Sequence, residues 1–203
     1  MESAAYGEVV GDSFQTIADV EAVEAEAPAL AAAVIGWLAG AGIIAGDPAD
    51  FVLGAGRGYP PGPHYATVTR PDGVLPRLRT NSVKVYTVKT VFYPAQAEVG
   101  PVACPRCGHS TLLRDPATEE MTEHWEAFRY ALDRWWADWT GSVICPQCRR
   151  ASDINEWHWT GNWPIAVGFF GLTFWNWPAL SQPFITQVAA ELGHRAVVSR
   201  GKL

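Results

Sequence analysis

Two short cysteine pairs, CPRC at 104–107 and CPQC at 145–148, constrain this chain more than any other stretch of it. A two-residue gap lets both sulfurs of a pair face one cation from a tight turn, and two such turns complete a tetrahedral set. The expected metal ligands are therefore Cys104, Cys107, Cys145 and Cys148, and the expected cofactor is one structural Zn²⁺. Four thiolates close the shell and leave no position for water, so a catalytic zinc is not expected. A thioredoxin-type redox motif uses one pair between a strand and a helix, whereas here there are two pairs, each with a proline after its first cysteine. Iron bound by the same thiolates and structural disulfides are the alternatives. The chain reads without a secretory signal, which favours reduced thiols and a cytoplasmic location.

The 203 residues suffice for one ordinary domain and a smaller inserted one, and 48% hydrophobic against 18% charged residues marks a globular chain. Net charge is −6, unevenly placed. No lysine or arginine precedes Arg57, while Glu2, Glu8, Asp12, Asp19, Glu21, Glu24, Glu26, Asp47 and Asp50 do. Such an acidic quarter repels phosphate and favours a basic partner; a merely solvating face is the alternative. Residues 27–46 carry no charge and have the length of a membrane span. Alanine and glycine dominate them, and acidic rather than basic residues flank them, so a buried helix ending in a glycine turn is expected and no membrane.

Along the chain, residues 6–10 suggest a first strand, and Phe14, Ile17 and Val20 recur at helical spacing. Pro28 suits the first turn of a helix with Leu30, Val34, Trp37, Leu38 and Ala41 on one side. The GAGRG at 54–58 imitates a dinucleotide loop, but YPPGP follows where a helix would have to open, and a rigid proline segment is expected over 58–63. Residues 83–93 read as one strand, with two lysines marking it as an edge. Between the cysteine pairs, Asp115 and Pro116 suggest the start of a helix running to about Trp139, with Trp125, Phe128, Leu132, Trp135 and Trp139 in one buried stripe. Residues 154–159 suggest a short strand. Residues 165–175 form an apolar run expected in mid-sheet, Ser181 caps a helix bearing Phe184, Ile185, Val188, Ala189 and Leu192, and 194–200 form a last strand.

Without residues 101–163 the order is strand, helix, strand, strand, helix, strand. The expected fold class is thus α+β, a ferredoxin-like (split βαβ) antiparallel sheet with helices on one face. Residues 1–100 plus 164–203 would form the sheet domain, and 101–163 an inserted four-cysteine zinc ribbon containing a long helix. In that sheet the first and third strands are central and the second and fourth are edges.

Seven strings, GYPPGP at 58, RTNSV at 79, the two cysteine knuckles, FWNWPAL at 174, LGHR at 192 and the terminal GKL, resemble a group of uncharacterised actinobacterial proteins that carry a zinc-ribbon insertion. The resemblance spans nearly the whole chain. It implies one continuous architecture with four metal ligands and transfers no catalytic residue.

No catalytic constellation is legible. The cysteines are committed to metal, and His64, His109, His124, His158 and His194 have no carboxylate at a recognisable spacing. His109 follows a knuckle, where it could donate to a thiolate or lie on the surface. Residues 101–163 hold six arginines, including Arg149 and Arg150, against nine carboxylates, so a phosphate-binding surface is not evident. Stacking of bases by Trp157, Trp159 and Trp163 competes with their burial. The expected function is a non-catalytic zinc-containing protein-binding module, an adaptor, inhibitor or immunity-like protein, whose partner is another protein with a basic surface. A nucleic-acid-binding zinc ribbon is the alternative, and an enzyme comes third.

Overall fold

The computed structural model describes residues 11–50, 53, 56–95, 99–160 and 164–203. Strand β1 (Ser13–Asp19) leads through a turn to helix α1 (Ala27–Gly40), then to a small pair of strands, β2 (Ala49–Asp50) and β3 (Arg57–Gly58), and a 3₁₀ turn at Tyr65–Val68. Strands β4 (Ser82–Tyr86) and β5 (Thr90–Phe92) precede the cysteine-bearing stretch. That stretch holds β6 (Val102–Ala103), β7 (Ser110–Thr111), α2 (Glu123–Asp138), β8 (Ser142–Ile144), β9 (Ala151–Asp153), a 3₁₀ turn at Ile154–Glu156, and β10 (His158–Trp159). The chain closes with β11 (Ala166–Gly168), β12 (Phe170–Trp175), α3 (Gln182–Leu192) and β13 (Ala196–Lys202). The described residues thus form a mixed α+β structure of three α-helices and several small antiparallel sheets.

The largest sheet has the order β13-β1-β12-β4, every neighbouring pair antiparallel. Strands β1 and β12 are central, and lysine-bearing β4 lies at an edge. Part of that edge is covered, because Tyr59 and Val83 exchange backbone hydrogen bonds of 2.9 and 2.8 Å. The proline segment thus serves as a cover for a row of unpaired groups.

Strand β1 corrects the helical reading of Phe14, Ile17 and Val20. Its residues after Ser13 are buried, so both faces are covered and the polar side chains that mimicked a helix's wet face are satisfied internally. The Gln15 amide donates to the Pro178 carbonyl and accepts from the Leu180 N–H, both at 2.9 Å, and the Thr16 and Thr173 hydroxyls pair at 2.8 Å. The strand expected at 6–10 lies outside the described residues.

Helix α1 begins with Pro28 in its first turn and buries Ala27, Ala31, Val34 and Leu38. Ala41, expected on that face, is the exposed C-cap, and Gly42 turns the chain with φ +69°. Among the described residues no helix is long and apolar enough to cross a membrane. Helix α3 starts as expected, with the Ser181 hydroxyl accepting from the Phe184 N–H at 3.4 Å, and it stops at Gly193 in the left-handed region. Both helices pack with Ile17, Val83, Phe170, Leu172 and Phe174 in one core. On the opposite face of the sheet, Ala18 packs with Phe92 and Ala166, and Phe14 with Trp175.

The two long strand readings are also corrected. Residues 83–93 break at 87–89 into β4 and β5, and the apolar run 165–175 breaks at Phe169 into β11 and β12. Strands β5 and β11 pair with each other, in a ladder separate from the large sheet. A continuous strand would have kept both segments in the large sheet; the break lets Phe92 fold back over Gly171, whose missing side chain makes the room.

A second core assembles around α2. It contains Val102, Leu113, Phe128, Ala131, Leu132, Trp135, Val143, Ile154, Trp157, Ile165, Val167 and the cysteines Cys104 and Cys145. Helix α2 starts later than its sequence suggested. Asp115 accepts from the Ala117 N–H at 2.7 Å, capping a tight turn at Pro116, and Thr122 precedes the helix instead. Of the stripe, Phe128, Leu132 and Trp135 are buried and Trp125 half-buried, while Trp139 is the exposed C-cap. The strand expected at 154–159 is a 3₁₀ turn followed by the two-residue β10.

Candidate metal centre

The four cysteines arrive on two hairpins of like construction. One is β6 and β7 with residues 104–109 between them, and the other is β8 and β9 with 145–150. In each loop the first cysteine's N–H donates to the carbonyl five residues on, Cys104 to His109 at 2.9 Å and Cys145 to Arg150 at 3.0 Å. The residue four positions on donates back, Gly108 to Cys104 at 2.9 Å and Arg149 to Cys145 at 3.0 Å. Pro105 and Pro146 preset the φ that such turns require. Closure also demands positive φ at the fourth position, where Gly108 has +72° and Arg149 +60°. Glycine adopts this freely, whereas arginine there costs roughly 1 kcal/mol. A geometry kept against that cost is over-determined by the rest of the loop.

The sulfurs meet between the loops. Cys104 Sγ lies 3.9 Å from Cys148 Sγ, Cys107 Sγ lies 3.8 Å from Cys145 Sγ, and all four sulfurs lie within 4.8 Å of one another. None is bonded to another. Zinc–sulfur bonds of about 2.3 Å in a tetrahedron put sulfurs roughly 3.8 Å apart, so the donor set fits one metal ion. Cys104 and Cys145 are buried in the second core and Cys107 is exposed, so the cluster sits at the edge of that core with one side toward solvent.

The thiols resist ionising together without a cation. Burial disfavours a charge on Cys104, but the N–H groups of Arg106 and Cys107 and the adjoining thiols outweigh it and bring its pKa down to about 7. At Cys107 the backbone of His109 favours the thiolate, yet burial and the three neighbouring sulfurs together push its pKa up to about 11. One negative sulfur makes the next more costly, and a divalent ion removes that conflict. It is the backbone of His109 that bears on the sulfurs: its N–H reaches Cys107 and its carbonyl accepts from Cys104.

The loops are tied to each other by Arg106, whose Nε donates to Ser152 Oγ at 3.2 Å and whose guanidinium pairs with Glu156 at 3.1 Å. This ion pair is exposed and serves orientation more than stability. A cavity of about 340 Å³ opens beside the second loop, lined by Glu123, His124, Phe128, Val143, Arg149 and Trp157 among others, and no cysteine lines it. Of the tryptophans considered for stacking, Trp157 is buried with its ring edge-on to Phe128 at 5.0 Å, Trp159 packs on the same ring at 5.4 Å, and Trp163 lies outside the described residues.

One histidine does have a carboxylate, across 175 positions of sequence. His194 Nδ1 lies 2.8 Å from Asp19 Oδ2, and the fully buried Asp19 also accepts from the N–H groups of Glu21 and Ala22, both at 2.9 Å. The neighbouring acids raise the His194 pKa, first of all the hydrogen bond to Asp19, and burial opposes them. Among the described residues no hydroxyl or thiol is hydrogen-bonded to His194, so the pair closes the β1–α1 turn against the start of β13 without the third member of a nucleophilic relay. The acidic quarter is thus partly engaged within the fold, since Glu21 accepts from the Arg195 N–H at 2.8 Å and Glu26 from the Val23 N–H at 3.2 Å.

No family model, no curated protein and no solved structure matches the chain.

Proposed function

We propose that Cys104, Cys107, Cys145 and Cys148 hold one structural Zn²⁺, and that the chain is a non-catalytic protein-binding module in which a zinc ribbon is carried on a ferredoxin-like sheet. The observation that carries the metal reading is the closed set of four sulfurs, two pairs of them 3.8 and 3.9 Å apart. Thiolates select zinc over harder divalent ions, and a shell without an open position suits a structural ion. The ion's attraction for the sulfurs, available only when both loops are formed, becomes folding free energy of the second core. The sheet order β13-β1-β12-β4 is the order of a split βαβ fold, and the five strings outside the knuckles that carry the resemblance lie on that sheet or beside it.

The protein-binding part rests on surface charge. Glu24, Asp47 and Asp50 are exposed on the acidic quarter, where a basic partner would be steered. The test has two arms. Purified full-length protein should contain about one zinc per chain, and Cys145→Ser should lose both the metal and the near-ultraviolet signal of the tryptophans around α2; metal-free protein with that signal intact would overturn the structural-ion reading. Immobilised zinc-loaded protein should bind the basic protein cytochrome c with salt-sensitive kinetics that Glu24→Lys, Asp47→Lys and Asp50→Lys together abolish. Association indifferent to both the salt and the reversals would overturn the steering surface.

A further inference from the structure

Beyond the metal centre, the C-terminal end of α2 carries an arrangement that neither cysteines nor charge predicts. The ammonium of Lys89, from the break between β4 and β5, lies 5.0 Å from the ring centroid of Trp135, 5.7 Å from that of Trp136 and 5.2 Å from that of Trp139. It also donates a 2.7 Å hydrogen bond to the Trp136 carbonyl. Aromatic faces attract cations through their quadrupoles, and the last carbonyls of a helix carry partial negative charge, so every contact of this ammonium has the same electrostatic sense. Helix α2 has no basic residue in its own last turn. Lys89 supplies that charge from another part of the chain.

The walls are built as well as placed. Trp139 is the C-cap of α2 with φ +67°, a conformation that a bulky residue adopts only when its surroundings hold it there. Phe169, at the break between β11 and β12, braces the rings of Trp135 at 6.0 Å and Trp139 at 5.1 Å. Trp135 is buried, but Trp136 and Trp139 are 52% and 55% exposed, so one side of the cage opens to water.

We propose that Trp135, Trp136 and Trp139 form an ammonium-binding cage, that Lys89 is its resident occupant, and that an outside alkylammonium ion enters only when Lys89 is removed. The ligand class follows from the walls: three π-faces and one carbonyl recognise a cation with an apolar skin, such as a quaternary ammonium, and give an anion or a metal ion too few partners. While Lys89 occupies the cage, it pins the break between β4 and β5 to the end of α2. This reading uses no metal ligand and holds whichever ion the cysteines bind.

The test uses full-length, metal-loaded protein and tetramethylammonium chloride, with sodium chloride at equal ionic strength as reference, read by tryptophan fluorescence. Lys89→Ala should give a saturable titration at least about tenfold tighter than wild type, in keeping with a cation–π contribution. Lys89→Ala with Trp139→Ala should lose it. A Lys89→Ala titration that matches wild type, or that survives the loss of Trp139, overturns the cage. A second measurement does not depend on the alanine variant folding. The sequence has three lysines, Lys84, Lys89 and Lys202, so limited acetylation can be read residue by residue. Lys89 should react about tenfold more slowly than Lys202, as a group withdrawn from solvent by cation–π contacts does, and Trp139→Ala should restore its rate. Equal rates for Lys89 and Lys202 in the wild-type protein overturn its occupancy.

Discussion

Phe128→Ala tests how far the metal loops depend on the core beneath them. The ring is 2% exposed and meets Trp157 edge-on at 5.0 Å and Trp159 at 5.4 Å. Removing a buried phenylalanine ring costs about 3–5 kcal/mol, and the two aromatic pairings account for about 0.5–1.5 kcal/mol each of that. The cavity cannot close easily. Trp159 is held by the pairing of β10 with β6, which leads directly into Cys104, and Trp157 follows a 3₁₀ turn anchored by the 2.7 Å bond from the Ile154 N–H to the Gly141 carbonyl. Relaxation toward the cavity would therefore pull on the first metal loop. In urea, with a slope of roughly 2 kcal/mol per molar for a unit of this size, the midpoint should fall by about 2 M. The assay follows tryptophan fluorescence together with metal release to a colorimetric chelator. Both midpoints should move together, because Cys104 and Cys145 belong to the same core as Phe128. Phe174→Ala, in the other core, supplies the control: effects on independent clusters should add within about 0.5 kcal/mol in the double variant. A Phe128→Ala loss under about 1 kcal/mol, or metal release that stays at the wild-type midpoint, would refute the coupling.

Two further outcomes follow from single contacts. Gly171→Ala would bring a methyl group to 2.5 Å from two carbons of the Phe92 ring, and should destabilise by about 1–3 kcal/mol, measured by thermal unfolding; an unchanged melting temperature would mean that Phe92 does not seal that face. At His194 the acids around it raise the folded-state pKa above the ordinary value of about 6.5, so its contribution is complete below that value and fades as pH rises through the folded pKa. The stability difference between wild type and His194→Ala in urea should be larger at pH 5.5 than at pH 8.5, and a difference independent of pH would remove the Asp19 partnership as its cause.

The local features of the fold were legible where a few adjacent residues decide the outcome. Pro28 in the first turn of α1, Ser181 before α3, Gly193 after it and the paired cysteines each act through their own neighbours. The readings that failed share a different cause. Gln15, Thr16 and Asp19 look like a wet face in sequence, yet each is satisfied by a residue more than 150 positions away, from Thr173 to His194. Burial of a strand on both faces depends on what the rest of the chain delivers to it, and periodicity within seven residues cannot contain that information. The same holds for 83–93 and 165–175: both have uniform strand composition, and each bends at a point set by partners on other elements.

Those two breaks bear on how the cysteine-bearing stretch is attached. Lys89, at one of them, meets Trp135, Trp136 and Trp139, and Phe169, at the other, packs on Trp135 and Trp139. A third tie is Asn155, which receives the Val167 N–H at 3.0 Å and donates to the Val167 carbonyl at 2.9 Å, completing the hydrogen bonding of β11 as a neighbouring strand would. Arg195, on the way into β13, donates to the Asn155 carbonyl at 2.9 Å. Ile165 and Val167, carried by β11 and the residues before it, are buried in the core around α2, while Ala166 between them packs with Ala18 of the large sheet. Alternate residues of one short segment thus belong to different cores, which is what a strand does when both of its faces are covered. The cysteine loops meet on one side at the sulfur cluster and are held on the other by a segment the large sheet also requires. Loss of order at the cysteines therefore has a direct route into the packing of β11 against β1, and the route runs through side chains that touch at each step.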